Sequence, residues 1–197
     1  MINGNTVKEL LNFEGNVRGA SITSQVDYIK KKWGANGFKR IQKKMNDYTR
    51  QELDYDNLIG MKWYPAWAQY LLILIIKDEF KLNDKSIIAF GYEMPRFSTI
   101  IKLLVMPIIN IKMLAKRIPT AWKQQNDYGI LETNDFNERK KEGKIIIKGL
   151  PLNKTFCKYF EGYMTGVGKF INYKNLKIRE VKCLMKENIH EFKVTWD

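Results

Sequence analysis

Residues 66–76, Ala-Trp-Ala-Gln-Tyr-Leu-Leu-Ile-Leu-Ile-Ile, are apolar but for Gln69, and Pro65 stands directly before them. Proline is well placed to open a helix, because the amide hydrogen it lacks would have no partner there. The pattern predicts a helix from Ala66 to Phe80. Such a helix is apolar nearly all round, has no face to offer water, and must lie at the centre of a core. It is too short to span a bilayer.

A chain of 197 residues with 45% apolar and 13% aromatic residues can bury that core without disulfides. The expected organisation is one domain, 1–197, with residues 1–16 as an N-terminal extension. Met1 to Gly15 carries Glu9 and Glu14 and no apolar segment, unlike a signal peptide. With two cysteines and no export signal, the expectation is a reducing, cytoplasmic setting and free thiols. The net charge of +13 is spread over short clusters such as Lys30-Lys31-Lys32 and Arg139-Lys140-Lys141. No nucleic-acid reading motif accompanies it, so it reads as a lysine-rich solvated surface. Nucleic acid is set aside as a partner, and contact with a peripheral anionic surface stays open.

Helices come first and strands later. Ser24 to Trp33 predicts a helix that Gly34-Ala-Asn-Gly37 ends. Phe38 to Met45 predicts a second, and Asn46 to Asn57 reads as a polar connection. Asn83-Asp84 can cap a helix running towards Met94. Phe97 to Met106 and Ile108 to Gln125 read as helical, interrupted by Pro107 and Pro119. Ile130 to Phe136 and Lys144 to Leu150 form a hairpin pattern. Pro151 to Asn172 reads as a long helix, and Leu176 to Met185 with Ile189 to Trp196 as a second hairpin. The fold class expected is α+β: an N-terminal helical bundle packed on a C-terminal antiparallel sheet of two hairpins separated by a long helix.

The only two cysteines and the only histidine lie in the last 41 residues, as Cys157, Cys183 and His190, with Glu180 three residues before Cys183. A hairpin turn at Lys186-Glu187 would set Cys183 opposite His190, close enough to share one metal ion. Cys157 would come from the preceding helix. Strand alternation puts Glu180 on the opposite face, which a bulge could correct but nothing in the sequence demands. The other reading of the cluster is two small buried thiols and a surface histidine near a turn.

The segment Phe156-Cys-Lys-Tyr-Phe-Glu-Gly-Tyr-Met-Thr-Gly166, followed by Arg179-Glu-Val-Lys-Cys183 and His190-Glu-Phe-Lys-Val-Thr-Trp196, resembles the C-terminal signature of 4-vinyl-reductase-type domains. Val17-Arg-Gly19, Trp63-Tyr-Pro65 and Trp122 with Tyr128-Gly129 resemble a bacterial family within that group, so the likeness covers about residues 17–197. It implies an α+β small-molecule-binding fold shared with transport-particle subunits and, more distantly, with haem-based nitric oxide sensors. It also implies a structural zinc ion on Cys157, Glu180 and Cys183. His190 stands near the fourth position, where that family has a cysteine. Haem is not expected: the histidine lies in the last strand, and no Tyr-x-Ser-x-Arg motif occurs.

No Ser/His/Asp set, Walker loop or dinucleotide-binding glycine pattern is present, so the chain reads as non-enzymatic. Gly162, Gly166 and Gly168 read as sites of close helix packing. Trp63, Tyr64, Trp67, Phe90, Phe97, Met106, Met113 and Trp122 could line an apolar cavity, or simply be core. The expectation is a sensor or carrier domain for an apolar or aromatic molecule. The alternative is a homodimeric interaction scaffold built on the same apolar helices.

Overall fold

The computed structural model describes residues 2–50, 53–98, 102, 110–151, 153–169, 175–184 and 187–197. Its architecture is the α+β arrangement expected, with helices forming the N-terminal part and an antiparallel sheet closing the C-terminal part. Among the described residues no helix is long and apolar enough to cross a membrane.

The apolar run forms α3, Ala66–Glu79 (numbered by place in the chain), and every residue from Ala66 to Ile76 is buried. Burial of each large aliphatic side chain contributes about 1.5–3 kcal/mol, which makes this helix the main source of core energy. Two small elements that the sequence left unforeseen lead into it. Helix α1, Gly4–Leu11, is capped by the Asn3 side chain and buries Val7 and Leu10. Strand β1, Asn16–Arg18, pairs antiparallel with β2, Trp63–Pro65, immediately before α3. Three-residue strands carry too little pattern to read in advance.

The break expected at Gly34 is a kink. Helix α2 runs from Gly19 to Thr49, with Gly34 alone non-helical at φ 69°. Glycine adopts that conformation without the Cβ penalty, and the chain then resumes its helix. The Trp33 ring stacks on Phe80 at 3.9 Å, which holds the kink against the end of α3. The polar stretch from Asn46 is helical as far as Thr49, and Arg50 ends it in the left-handed region.

Helix α4, Asp84–Glu93, is capped by Asn83 as expected, and a 3₁₀ turn follows at Met94–Phe97. Helix α5, Ile111–Gln125, is capped by Asn110 and carries Pro119 in its interior. Proline removes the hydrogen bond that the Ala115 carbonyl would accept. The Thr133 hydroxyl donates to that carbonyl instead, at 2.9 Å, and so joins α5 to β3. Thr133→Val should therefore cost about 1 kcal/mol, read as a lower denaturation midpoint at unchanged slope.

The sheet has the order β3-β4-β6-β5, with β3 Ile130–Asn137, β4 Glu142–Lys148, β5 Lys177–Leu184 and β6 Ile189–Thr195. Ile145 and Ile147 of β4 and His190, Phe192 and Val194 of β6 are buried on one face. Helix α6, Lys154–Gly168, connects the two hairpins and crosses α4 at close range. A Cβ at Gly162 would overlap the Ile88 carbonyl, one at Gly166 the Tyr92 carbonyl, and one at Gly91 the Tyr159 carbonyl. Close packing explains Gly162 and Gly166, while Gly168 faces only the Leu176 side chain.

Candidate functional site

Two constellations flank α6. The first is the cysteine–histidine cluster. Cys183 pairs directly with His190 in the β5–β6 ladder, the register the hairpin pattern predicts. Glu180 departs from the expected alternation. It pairs with Phe192 and Lys182 with Glu191, so Val181 is an inserted residue and half exposed. This bulge turns Glu180 to the face that carries Cys183. Cys157 reaches the same point from α6.

The four ligand-type atoms lie within 4.8 Å of one another. The Cys157 and Cys183 sulfurs are 3.9 Å apart. His190 Nδ1 is 3.3 Å from Cys157 Sγ, 3.6 Å from Cys183 Sγ and 3.6 Å from Glu180 Oε1. Around a tetrahedral ion with bonds of about 2.0–2.3 Å, ligand atoms stand roughly 3.3–3.8 Å apart. The measured edges fall close to that range. Glu180 Oε1 and His190 Nε2 are both buried without a hydrogen-bond partner. Burial, with the Glu180 carboxylate beside it, pushes the Cys157 thiol well up, and burial raises Cys183 too. Two thiols, an imidazole and a carboxylate are a donor set of the kind that suits a transition metal.

The second constellation is a cavity of about 300 Å³ between α2, α5 and α6. Leu114, Ile118, Trp122, Phe160, Met164 and Val167 give it apolar walls. Arg117 and Gln124 are exposed at its rim, and Gln69 and Tyr159 lie buried at its inner end. The Tyr159 hydroxyl accepts from Gln25 Nε2 at 3.4 Å and also hydrogen-bonds the Gln69 amide. Burial raises its pKa to about 12, so at neutral pH it keeps its proton.

Of the eight residues expected to line a cavity, Trp122 does so; its indole N–H donates to the Tyr128 carbonyl at 3.1 Å. Trp67 and Phe90 are core, with Phe90 packed on Tyr28 and Tyr159. Phe97 and Met113 are half-buried against that core. Trp63 is exposed beneath the Arg18 guanidinium, 3.8 Å above its ring, and the Tyr64 hydroxyl accepts from the Ile59 amide. Met106 lies outside the described residues. Sequence reasoning passed over Gln69 and the stripe Tyr159, Phe160, Tyr163, Met164, Val167. The signal for the first was its polarity inside an apolar helix, and for the second its i, i+1, i+4 spacing on α6.

No protein-family profile matches the chain, and no curated protein matches it in sequence. Among solved structures, an iron(II) unliganded H-NOX protein from K. algicida matches at TM-score 0.64 and 14% identity, over 91% of this chain and 96% of that one. An S. oneidensis H-NOX protein in an iron(II)–nitric oxide state matches at 0.68 and 10%, over 91% and 99%. An oxygen-binding H-NOX domain related to soluble guanylate cyclases matches at 0.65 and 9%, over 91% and 95%.

These matches correct two expectations. The 4-vinyl-reductase-type assignment gives way, because the neighbours are H-NOX domains; short motifs around glycines and a Glu-x-x-Cys strand do not separate α+β folds that share this order of elements. The exclusion of haem is overturned with it, since the H-NOX fold is a haem-binding one, and zinc gains no support from neighbours whose named metal is iron(II). Residue by residue, the cavity wall holds the phenols of Tyr159 and Tyr163 and the thioethers of Met94 and Met164 as atoms able to ligate haem iron. The single histidine, His190, stands in the cysteine cluster and is not part of that wall. The chain has the H-NOX fold.

Proposed function

We propose that this chain is a non-enzymatic small-molecule sensor domain whose ligand occupies the cavity between α2, α5 and α6. The observation that carries this reading is the cavity itself: apolar walls, a buried polar inner end and an exposed rim are the make-up of a ligand site. The fold likeness supports it, because the H-NOX neighbours include an oxygen complex and a nitric oxide complex. The cavity walls favour an apolar or aromatic molecule.

Native mass spectrometry with an absorption spectrum tests the reading. The expected result is a bound molecule on the purified protein, or uptake of an uncharged apolar fluorescent probe such as N-phenyl-1-naphthylamine by stripped protein. A Soret band would make the porphyrin that occupant. Ala121→Phe, which places a ring in the cavity, should cut probe uptake at least tenfold while leaving the melting temperature in place. A protein with no bound molecule and no uptake, or an Ala121→Phe variant that binds as well as the parent, overturns the reading.

The cluster of Cys157, Glu180, Cys183 and His190 plays a different part. In our reading these residues hold one transition-metal ion that fastens the last hairpin to α6. The supporting observation is the gathering of four ligand-type atoms within 4.8 Å of one another, with Glu180 Oε1 buried and unpartnered among them.

A further inference from the structure

The inner end of the cavity holds more hydrogen-bonding capacity than the protein uses. Gln25 is fully buried, Gln69 is 8% exposed and Tyr159 is 2% exposed, so water is largely excluded from all three. The oxygens Gln25 Oε1 and Gln69 Oε1 have no hydrogen-bond partner, and of these two residues Gln69 lines the cavity. The Tyr159 oxygen receives the Gln25 and Gln69 amides, which leaves its own hydrogen to be donated elsewhere. One glutamine is the sole interruption of the apolar run in α3, and it is the residue that faces this space.

Leaving such an acceptor buried and unpaired is costly, and a cavity that leaves it so is completed by a ligand that donates to it. Among the described residues no charged side chain stands at this end: Arg117 is exposed at the rim. A charged head group placed here would lose its hydration without an ion partner. An uncharged group avoids that penalty.

Resting on the cavity reading above, we infer that the site selects an apolar molecule bearing one uncharged head group that donates an N–H or O–H to Gln69 Oε1 and accepts from the Tyr159 hydroxyl. Carboxamides and lactams have both functions side by side. The two flat hydrogen-bonding groups at the inner end thus give specificity, and the Trp122, Phe160 and Met164 walls give affinity.

The test uses the full chain and three probes on one skeleton, titrated by calorimetry: 2-naphthamide, its apolar isostere 2-isopropenylnaphthalene, and 2-naphthoate. The parent protein should bind the amide at least about tenfold tighter than the isostere, and naphthoate weaker than the amide. Gln69→Leu should bring amide and isostere within about twofold while keeping isostere binding, and should melt no lower than the parent because it removes the unpaired oxygen. Tyr159→Phe should lower amide affinity alone. Equal binding of amide and isostere by the parent overturns the head-group inference and leaves the cavity reading standing. A full amide preference in Gln69→Leu overturns it as well. Failure of all three probes to bind the parent removes the cavity reading, and this inference with it.

Discussion

Purified protein should carry about one equivalent of a transition metal, and removing it should lower the melting temperature by about 8–16 °C. The size follows from linkage. An ion held a thousandfold above its dissociation constant adds about 4 kcal/mol to the folded state. For a chain of this length each kcal/mol moves the transition by about 2–4 °C. The four ligands come from three elements, α6, β5 and β6, so the ion adds a bond between the helix and a hairpin already joined by its own ladder. Cys157→Ser should lose both the metal and the stability, because Cys157 is the member of the cluster that the helix supplies. Cys183→Ser should behave in the same direction. Glu180→Gln should be milder, since it keeps an oxygen in place and removes only the charge. Elemental analysis of parent and variants, with cobalt(II) as a spectroscopic probe of thiolate coordination, measures each step. Metal-free protein that melts at the same temperature with and without chelator would end this account and leave one buried and one exposed free thiol.

Much of this site was legible in the sequence, and the residue that was not is instructive. Pairing of Cys183 with His190 follows from counting outward from a short turn, because ladder register is rigid once the turn is placed. Glu180 was not legible on the right face, since a bulge is a choice of backbone that an exposed valine does nothing to announce. The helical half shows the same division. The cap at Asn83 marks a helix start correctly, because a side-chain acceptor for free amide hydrogens is a local requirement, whereas Asn110 and Asn153 cap helices expected to begin at Ile108 and Pro151. Gly34 was misread as a stop because glycine can end a helix or bend it, and the stacking of Trp33 on Phe80 that decides between them is long-range. The cavity was the least legible feature. Aromatic residues that fill a core and those that line a space look alike in sequence, and of the seven expected residues that are described only Trp122 is on its wall. Gln69 was the better marker, since a polar group in an apolar helix must find its partner somewhere.

Gly162→Ala should destabilise the protein by about 3 kcal/mol, at the upper end of what overpacking costs. The reason is that its Cβ would meet backbone. Most added methyl groups in a core displace a neighbouring side chain, which can rotate away at small cost. At Gly162 the added carbon would overlap the Ile88 carbonyl and crowd the Tyr92 amide, so α4 and α6 would have to separate as rigid bodies. The expected loss in melting temperature is about 6–12 °C. Gly168→Ala should cost less, because its Cβ would meet the end of the Leu176 side chain, and Gly4→Ala, with nothing within 4 Å, should be neutral or slightly stabilising. That ranking separates interhelical contact from a general intolerance of alanine in place of glycine. Gly91 meets α6 at the carbonyl of Tyr159, one turn before Gly162, so the same crossing fixes the backbone that carries Tyr159 to the cavity. A Gly162→Ala protein that still folds at lower temperature should therefore bind 2-naphthamide less tightly than the parent. If it melts with the parent, the helices are not held at backbone contact, and the crossing cannot be what sets the position of Tyr159.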